Sequence, residues 1–273
     1  MLNLSFIILT WNSAKYVRQC LDSIENAFRN TDDNIYVFLI DNGSSDNTVD
    51  ILQAWKKKSV LNVYVIPLKQ NLGTTRSRNI GISRAMRKSE HICILDSDTE
   101  ITFEAICALV DDLQENPKIG IVGPVLKGLD GAVQNSGRNI PTVTLKLLKI
   151  LPLRFFQSKG ENMEVIKKTS SLTKVGYLMS ACWLLRTDMI RNIGLLDENI
   201  FYAPEDVEYC IRAWKNGYHV IYDKNISIIH RWQRLSRRKI LSKHNYEHIK
   251  GLIYLFMKYR YFLRTNFLRE YMK

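Results

Sequence analysis

A chain of 273 residues, 46% hydrophobic and 24% charged, suffices for one large globular domain and is unlike a disordered, collagenous or repeat protein. Of its net charge of +12, +10 lies between Arg231 and Lys273, where twelve Lys or Arg face two Glu; a basic tail of this kind is no nucleic-acid recognition fold. The five cysteines (Cys20, Cys93, Cys107, Cys182, Cys210) are scattered without a CxxC pair, which speaks for buried thiols in a reducing compartment and against disulfides or zinc.

Ser5–Thr10 is an apolar, β-branched run that reads as a buried strand. Asn12 or Ser13 can cap the helix that follows, whose face is Val17, Cys20, Leu21 and Ile24. Met1-Leu2-Asn3 lacks the charged start of a signal peptide, and no apolar run nears the ~20 residues of a membrane span. A second strand, Ile35–Ile40, closes on the polar turn Asp41–Asp46; a helix carrying Val49, Ile51, Leu52 and Trp55 leads to a strand over 62–66. This βαβα order predicts an α/β fold with a mostly parallel sheet. Arg76 and Arg78 then open a helix, where cations oppose the dipole, so either an anion or neighbouring acids must hold them.

Ile92–Leu95 is a strand buried on both faces that ends on Asp96-Ser97-Asp98. Residues i and i+2 of extended chain point the same way, so the two carboxylates converge at the sheet edge where ligands bind. A solvated turn suits the triplet, and so does a hard divalent cation holding a diphosphate. A helix with Ile106, Leu109, Val110 and Leu113 follows, then a strand over 119–124. From Lys127 to Ser171 the periodicity fails; 143–156, apolar and basic around Pro152, reads as a packed connection, ahead of a flap or a membrane-touching element. Gly176–Arg186 reads as one buried strand, Thr187–Ile193 as a short helix. Pro204 starts a helix with the face Val207, Cys210, Ile211 and Trp214; its dipole should lower the pKa of Glu205 and Asp206. Strands over 220–222 and 227–230 end on His230, a hydrogen-bonded structural residue or a ligand.

The ordered motifs ILTWN, IDNGSSDNT, NLG with RNIG, LDSD, GLLDENIFYAPEDVEYCIRAWKNGY and IIH resemble the inverting family 2 glycosyltransferases of the GT-A fold. The nearest flavour is the bacterial rhamnosyltransferases and O-antigen or capsule transferases. The resemblance covers residues 4–230 and implies a catalytic domain over 1–230. It further implies that Thr10, Asn12 and Asp41 hold base and ribose, that Arg78 faces the diphosphate, and that Asp96 reaches the ribose or metal waters. Asp98 and His230 become ligands of Mn²⁺ or Mg²⁺, Asp206 the general base, and Glu205 its partner in orienting the acceptor. The implied reaction moves a sugar from a UDP- or dTDP-sugar to a glycan or lipid-linked acceptor for surface polysaccharide.

Two departures bear on the donor. Ser97 stands where relatives often carry Asp or Asn, and Thr74-Thr75-Arg76 replaces a small, Gly-rich stretch. Rival readings are a nucleotidyltransferase, whose Gly-rich first loop is absent from ILTWNSAKY, and an inactive transferase-like scaffold. The tail 231–273 reads as a basic amphipathic helix with Ile249, Leu252, Ile253 and Phe256 on one face, packed on the domain, laid on an anionic membrane, or both. The expected location is cytoplasmic, peripheral at the inner membrane face, with no nucleic-acid partner.

Overall fold

The computed structural model describes residues 1–150, 166, 170–231, 243–263, 265, 270 and 271. The first half runs β1 (Asn3–Thr10), α1 (Val17–Phe28), β2 (Asn34–Asp41), α2 (Thr48–Lys56), β3 (Asn62–Pro67), α3 (Thr74–Ala85) and β4 (His91–Asp96). Then come β5 (Thr99–Glu100), α4 (Phe103–Glu115), β6 (Ile119–Lys127), β7 (Val133–Gln134), β8 (Gly137–Arg138) and α5 (Val143–Ile150). The last part holds β9 (Leu172–Lys174), β10 (Tyr177–Leu178), β11 (Cys182–Arg186), α6 (Thr187–Ile193), α7 (Glu205–Lys215), β12 (His219–His230) and α8 (Lys243–Tyr259).

The main sheet has the order β3-β2-β1-β4-β11-β6-β12-β5. Its first four strands are parallel, and β11 is antiparallel to both neighbours. Strand alternation sorts the core onto two faces. Phe6 and Ile8 pack with Val17, Leu21 and Phe28 on one side; Ile7 packs with Ile40, Ile94, Trp183 and Trp214 on the other. All are at most 1% exposed, so both faces are dry.

Register explains how distant residues meet. Thr10 pairs with Asp41 and Leu9 with Asp96, so β1, β2 and β4 end at one edge. On the far side His230 pairs with Thr99, which carries the end of β12 beside the Asp96–Asp98 turn.

Several expectations need correction. Neither Asn12 nor Ser13 caps α1 by its side chain; the Ser13 carbonyl accepts from Val17 N, and the helix begins at Val17. Gly176–Arg186 is two strands, β10 and β11, because the chain turns at 179–181 to present Ser180. The strands over 220–222 and 227–230 are one strand with a register shift between Asp223 and Ser227. The 127–171 segment holds β7, β8 and α5; Leu145 is buried, as a packed connection requires, while 151–165 lies outside the described residues.

The face of α8 is also rotated from the expected one. Leu252, Leu255 and Phe256 are buried, whereas Ile249 and Ile253 are exposed. The cause is Gly251: a Cβ there would overlap the carbonyl oxygen of Ala203 and come within 2.9 Å of Pro204 Cδ. Only a residue without a side chain lets α8 lie on the backbone that leads into α7. Residues 232–242, the densest part of the basic tail, lie outside the described residues.

Candidate active site

The loop after β2 is built by its own polar groups. Asp41, 1% exposed, accepts from Thr10 Oγ1 (3.0 Å), Ser44 Oγ (2.5 Å) and Ser44 N (2.9 Å). Asn12, in a left-handed conformation at φ 51°, accepts from Ser45 N at 2.8 Å. The structure therefore brings Thr10, Asn12 and Asp41 together at the sheet edge, with Thr10 and Asp41 turned inward to brace the loop. Asn42 links this loop to α3: its Oδ1 accepts from Leu72 N and Ser77 Oγ, both at 2.8 Å.

The RNIG stretch does three jobs. Gly81 lies against Ile7 and Ile40 of the sheet, where a Cβ would not fit. Asn79 donates to the Leu196 carbonyl (2.9 Å) and accepts from Leu196 N (3.0 Å), holding the turn before α7 against α3. Arg78 is 4% exposed and bridges two acids, Glu205 at 3.1 Å through Nη1 and Asp96 at 2.7 Å through Nη2. Nη1 also donates to Ser180 Oγ (2.9 Å), which in turn donates to Glu205 (3.0 Å). Of the two readings of the helix-opening arginines, neighbouring acids account for both; Arg76 meets Glu198 at the surface at 3.4 Å. Arg78 thus ties together the two acidic ends of the site, beside the place where the resemblance puts the diphosphate.

Glu205 and Asp206 do not follow the helix dipole. Burial and the adjacent Asp206 charge push Glu205 up to about 7, against the pull of Arg78. Burial likewise raises Asp206, opposed by the Val207 N–H and by Arg138, Lys146 and Arg78. A fraction of a charge at a helix end is smaller than the cost of stripping water from a carboxylate.

At the other end, Asp96, Asp98 and His230 offer ligand atoms that all lie within 4.8 Å of one another. His230 Nδ1 faces Gln134 Oε1 at 2.7 Å, so that nitrogen holds the proton and Nε2 faces Asp98 at 3.4 Å. Burial opposes charge on this ring, but Asp98 and Asp96 outweigh it and raise its pKa. Two carboxylate oxygens and one imidazole nitrogen, the imidazole fixed from behind, fit a divalent cation such as Mn²⁺ or Mg²⁺. Arg78, Asp96, Ser180, Glu205, Asp206 and His230 all line one cavity of about 260 Å³.

A second cavity, of about 320 Å³, adjoins it and shares Leu9, Thr74 and Tyr202 with it. Its walls include Ser13, Asn42, Asn71 and Ser97, neutral polar groups to which the sequence reading gave no binding role. Gly73 has φ 86° and lies against Phe201, whose carbonyl accepts from Thr74 N at 2.7 Å, so the 194–204 segment closes this wall.

The sequence signature of Glycosyl transferase family 2 matches residues 5–194. N-acetylglucosaminyl-diphospho-decaprenol L-rhamnosyltransferase of Mycobacterium tuberculosis is 25% identical over 243 residues, covering 83% of this chain and 75% of that protein. S. aureus TarS 1–349, solved in complex with UDP, matches at a TM-score of 0.59 and 20% identity, covering 84% of this chain and 60% of that one. The mannosyltransferase PcManGT from Pyrobaculum calidifontis, solved with GDP-Man and Mn²⁺, matches at 0.63 and 15% identity, covering 94% and 64%. At such identities the two structures carry the fold alone, and this chain spans under two thirds of each.

Proposed function

The chain belongs to glycosyl transferase family 2, with its mostly parallel GT-A sheet, and from that premise we propose a metal-dependent inverting sugar transfer from a nucleoside-diphosphate sugar. The observation that carries this is the single cavity that joins the Glu205-Asp206 pair to Asp96 and His230, with Arg78 between them. Asp98 and His230, with Asp96, would hold the cation, which when bound offsets the charge that builds on the leaving diphosphate. Asp206 takes the proton of the acceptor hydroxyl as that oxygen attacks the anomeric carbon opposite the nucleotide. One base is enough for inversion. Glu205, held by Ser180 and Arg78, orients the acceptor, and Arg78 keeps Asp96 and Glu205 at fixed separation. Thr10, Asn12 and Asp41 act through the loop they brace beside the base and ribose. The donor is a UDP- or dTDP-sugar; the M. tuberculosis relative is named for L-rhamnosyl transfer, and TarS was solved with UDP.

Purified protein with a panel of UDP-, dTDP- and GDP-sugars is expected to release nucleoside diphosphate from one donor in the presence of Mn²⁺ or Mg²⁺. Chelation or Asp98→Ala should cut the rate about a hundredfold or more, the equivalent of a few kcal/mol of charge stabilisation. Release that persists unchanged in EDTA would remove the metal from this reading.

The acceptor is a glycan or a lipid-linked glycan, and we place the outer face of α8 against an anionic bilayer. No described helix is long and apolar enough to cross a membrane, but Tyr246, Ile249, Ile253 and Met257 are exposed along one stripe beside Lys250. Such a stripe suits interfacial binding. The protein should float with phosphatidylglycerol vesicles and not with phosphatidylcholine ones. Ile253→Glu with Met257→Glu should lose that flotation; retained binding would rule this face out.

A further inference from the structure

The 320 Å³ cavity has one wall that comes from far along the chain: Glu247, in α8. Among the described residues every other one lining it is neutral, and Glu247 is the one charged group. The rings of Trp11 and Tyr202, 44% and 41% exposed, form apolar faces of the same space. No hydrogen bond or ion pair among the described residues uses the Glu247 carboxylate.

The position of Glu247 is set by how α8 is seated. One turn along, Gly251 rests on the Ala203 carbonyl. Further along, Tyr254 Oη donates to Asp197 at 2.8 Å, and Lys258 Nζ meets Asp197 at 2.5 Å and Glu208 at 2.8 Å. Tyr259 Oη adds a bond to Glu208 at 2.8 Å. Glu208 is fully buried in α7, the helix that begins with Glu205 and Asp206. Breaking such a buried charged network is costly, so α8 is a fixed wall of the site.

We propose that Glu247 is a donor-recognition residue whose carboxylate accepts a hydrogen bond from a hydroxyl of the nucleotide sugar, on the ribose or on the transferred sugar. This rests on the transferase reading above. An ionised carboxylate only accepts, and it repels phosphate. The part of the donor beside it therefore carries O–H groups and no charge. The diphosphate belongs at Asp98 and His230, and the rings of Trp11 and Tyr202 in the cavity wall offer an apolar surface to a base or a sugar ring. A hydrogen bond to an ionised group is about twice as strong as a neutral one, which gives one residue leverage over donor choice.

The test uses the full chain with Mn²⁺ and titrates nucleoside diphosphates and nucleotide sugars into wild type, Glu247→Gln and Glu247→Ala. Both variants should bind about tenfold or more weakly. KM for the donor should rise by a like factor while kcat stays within about threefold and the melting temperature is unchanged. A loss already seen with the nucleoside diphosphate assigns the ribose; a loss confined to the nucleotide sugar assigns the transferred sugar. Glu247→Gln binding every ligand as well as wild type, or better, overturns the proposal and leaves the transferase reading standing. Wild type binding no nucleotide at all overturns both.

Discussion

Asp206→Asn is expected to lower kcat about a thousandfold while donor binding stays within about threefold, because the amide cannot take a proton. Glu205 is no substitute: its carboxylate is engaged by Ser180 and Arg78 at 3.0 and 3.1 Å. The pH dependence has a definite sign. Wild-type kcat should fall on acidification through a pKa above the ordinary aspartate value, since burial raises Asp206. Stability should move the opposite way. Glu205 titrates near 7 in the folded protein against 4.5 ordinarily, so between those values the native state binds the extra proton. Stability is full below about 4.5 and declines as pH rises through about 7. The site is thus most stable where it is least active. In Asp206→Asn the like charge beside Glu205 is gone, so this decline should be smaller and end at lower pH. Urea unfolding midpoints between pH 5 and 8, with single-turnover rates over the same range, would check both limbs. Near-normal transfer by a folded Asp206→Asn protein would dismiss it as the base.

Much of this site could be read from the chain because its parts sit at strand ends. Apolar runs that stop at Thr10, Asp41 and Asp96 announce three strands finishing at one edge, and the βαβα order makes that edge common. What escaped depends on contacts with no local period. The meeting of His230 with Asp98, which the family resemblance implied and no local pattern showed, rests on a two-residue strand, β5, too short to leave one. Ser180 left a faint signal, the lone hydroxyl in the apolar run from Leu178 to Leu185, but its use by Arg78 and Glu205 needs the turn that splits that run. The dipole argument for Glu205 and Asp206 failed because burial, a tertiary quantity, outweighs a local one. Glu247 lay inside a stretch whose net charge is strongly basic, and only the seating of α8 on Ala203 brings it to the wall of the 320 Å³ cavity.

Arg78→Met is expected to cost about 3–5 kcal/mol of stability near neutral pH, the range for leaving buried partners of an ion pair uncompensated. Methionine fills the space and removes the fork, so the loss is electrostatic and not a cavity effect. Two carboxylates, Glu205 and Asp96, lose the guanidinium that opposes their desolvation. Both then titrate higher than in wild type. The native variant therefore holds its protons over a wider span, and its stability should fall more steeply with rising pH above 7. At pH 5 to 6, where Glu205 is already protonated, the penalty should shrink. Arg78→Lys gives a sharper test of geometry, because an ammonium keeps the charge but cannot reach Glu205, Ser180 and Asp96 together as a planar fork does. It should recover part of the stability without recovering the rate. Unfolding midpoints for both variants at pH 6 and pH 8 would decide the matter. A penalty independent of pH would mean that Arg78 holds the site by packing, and that the bridge between metal end and base end contributes little to the fold.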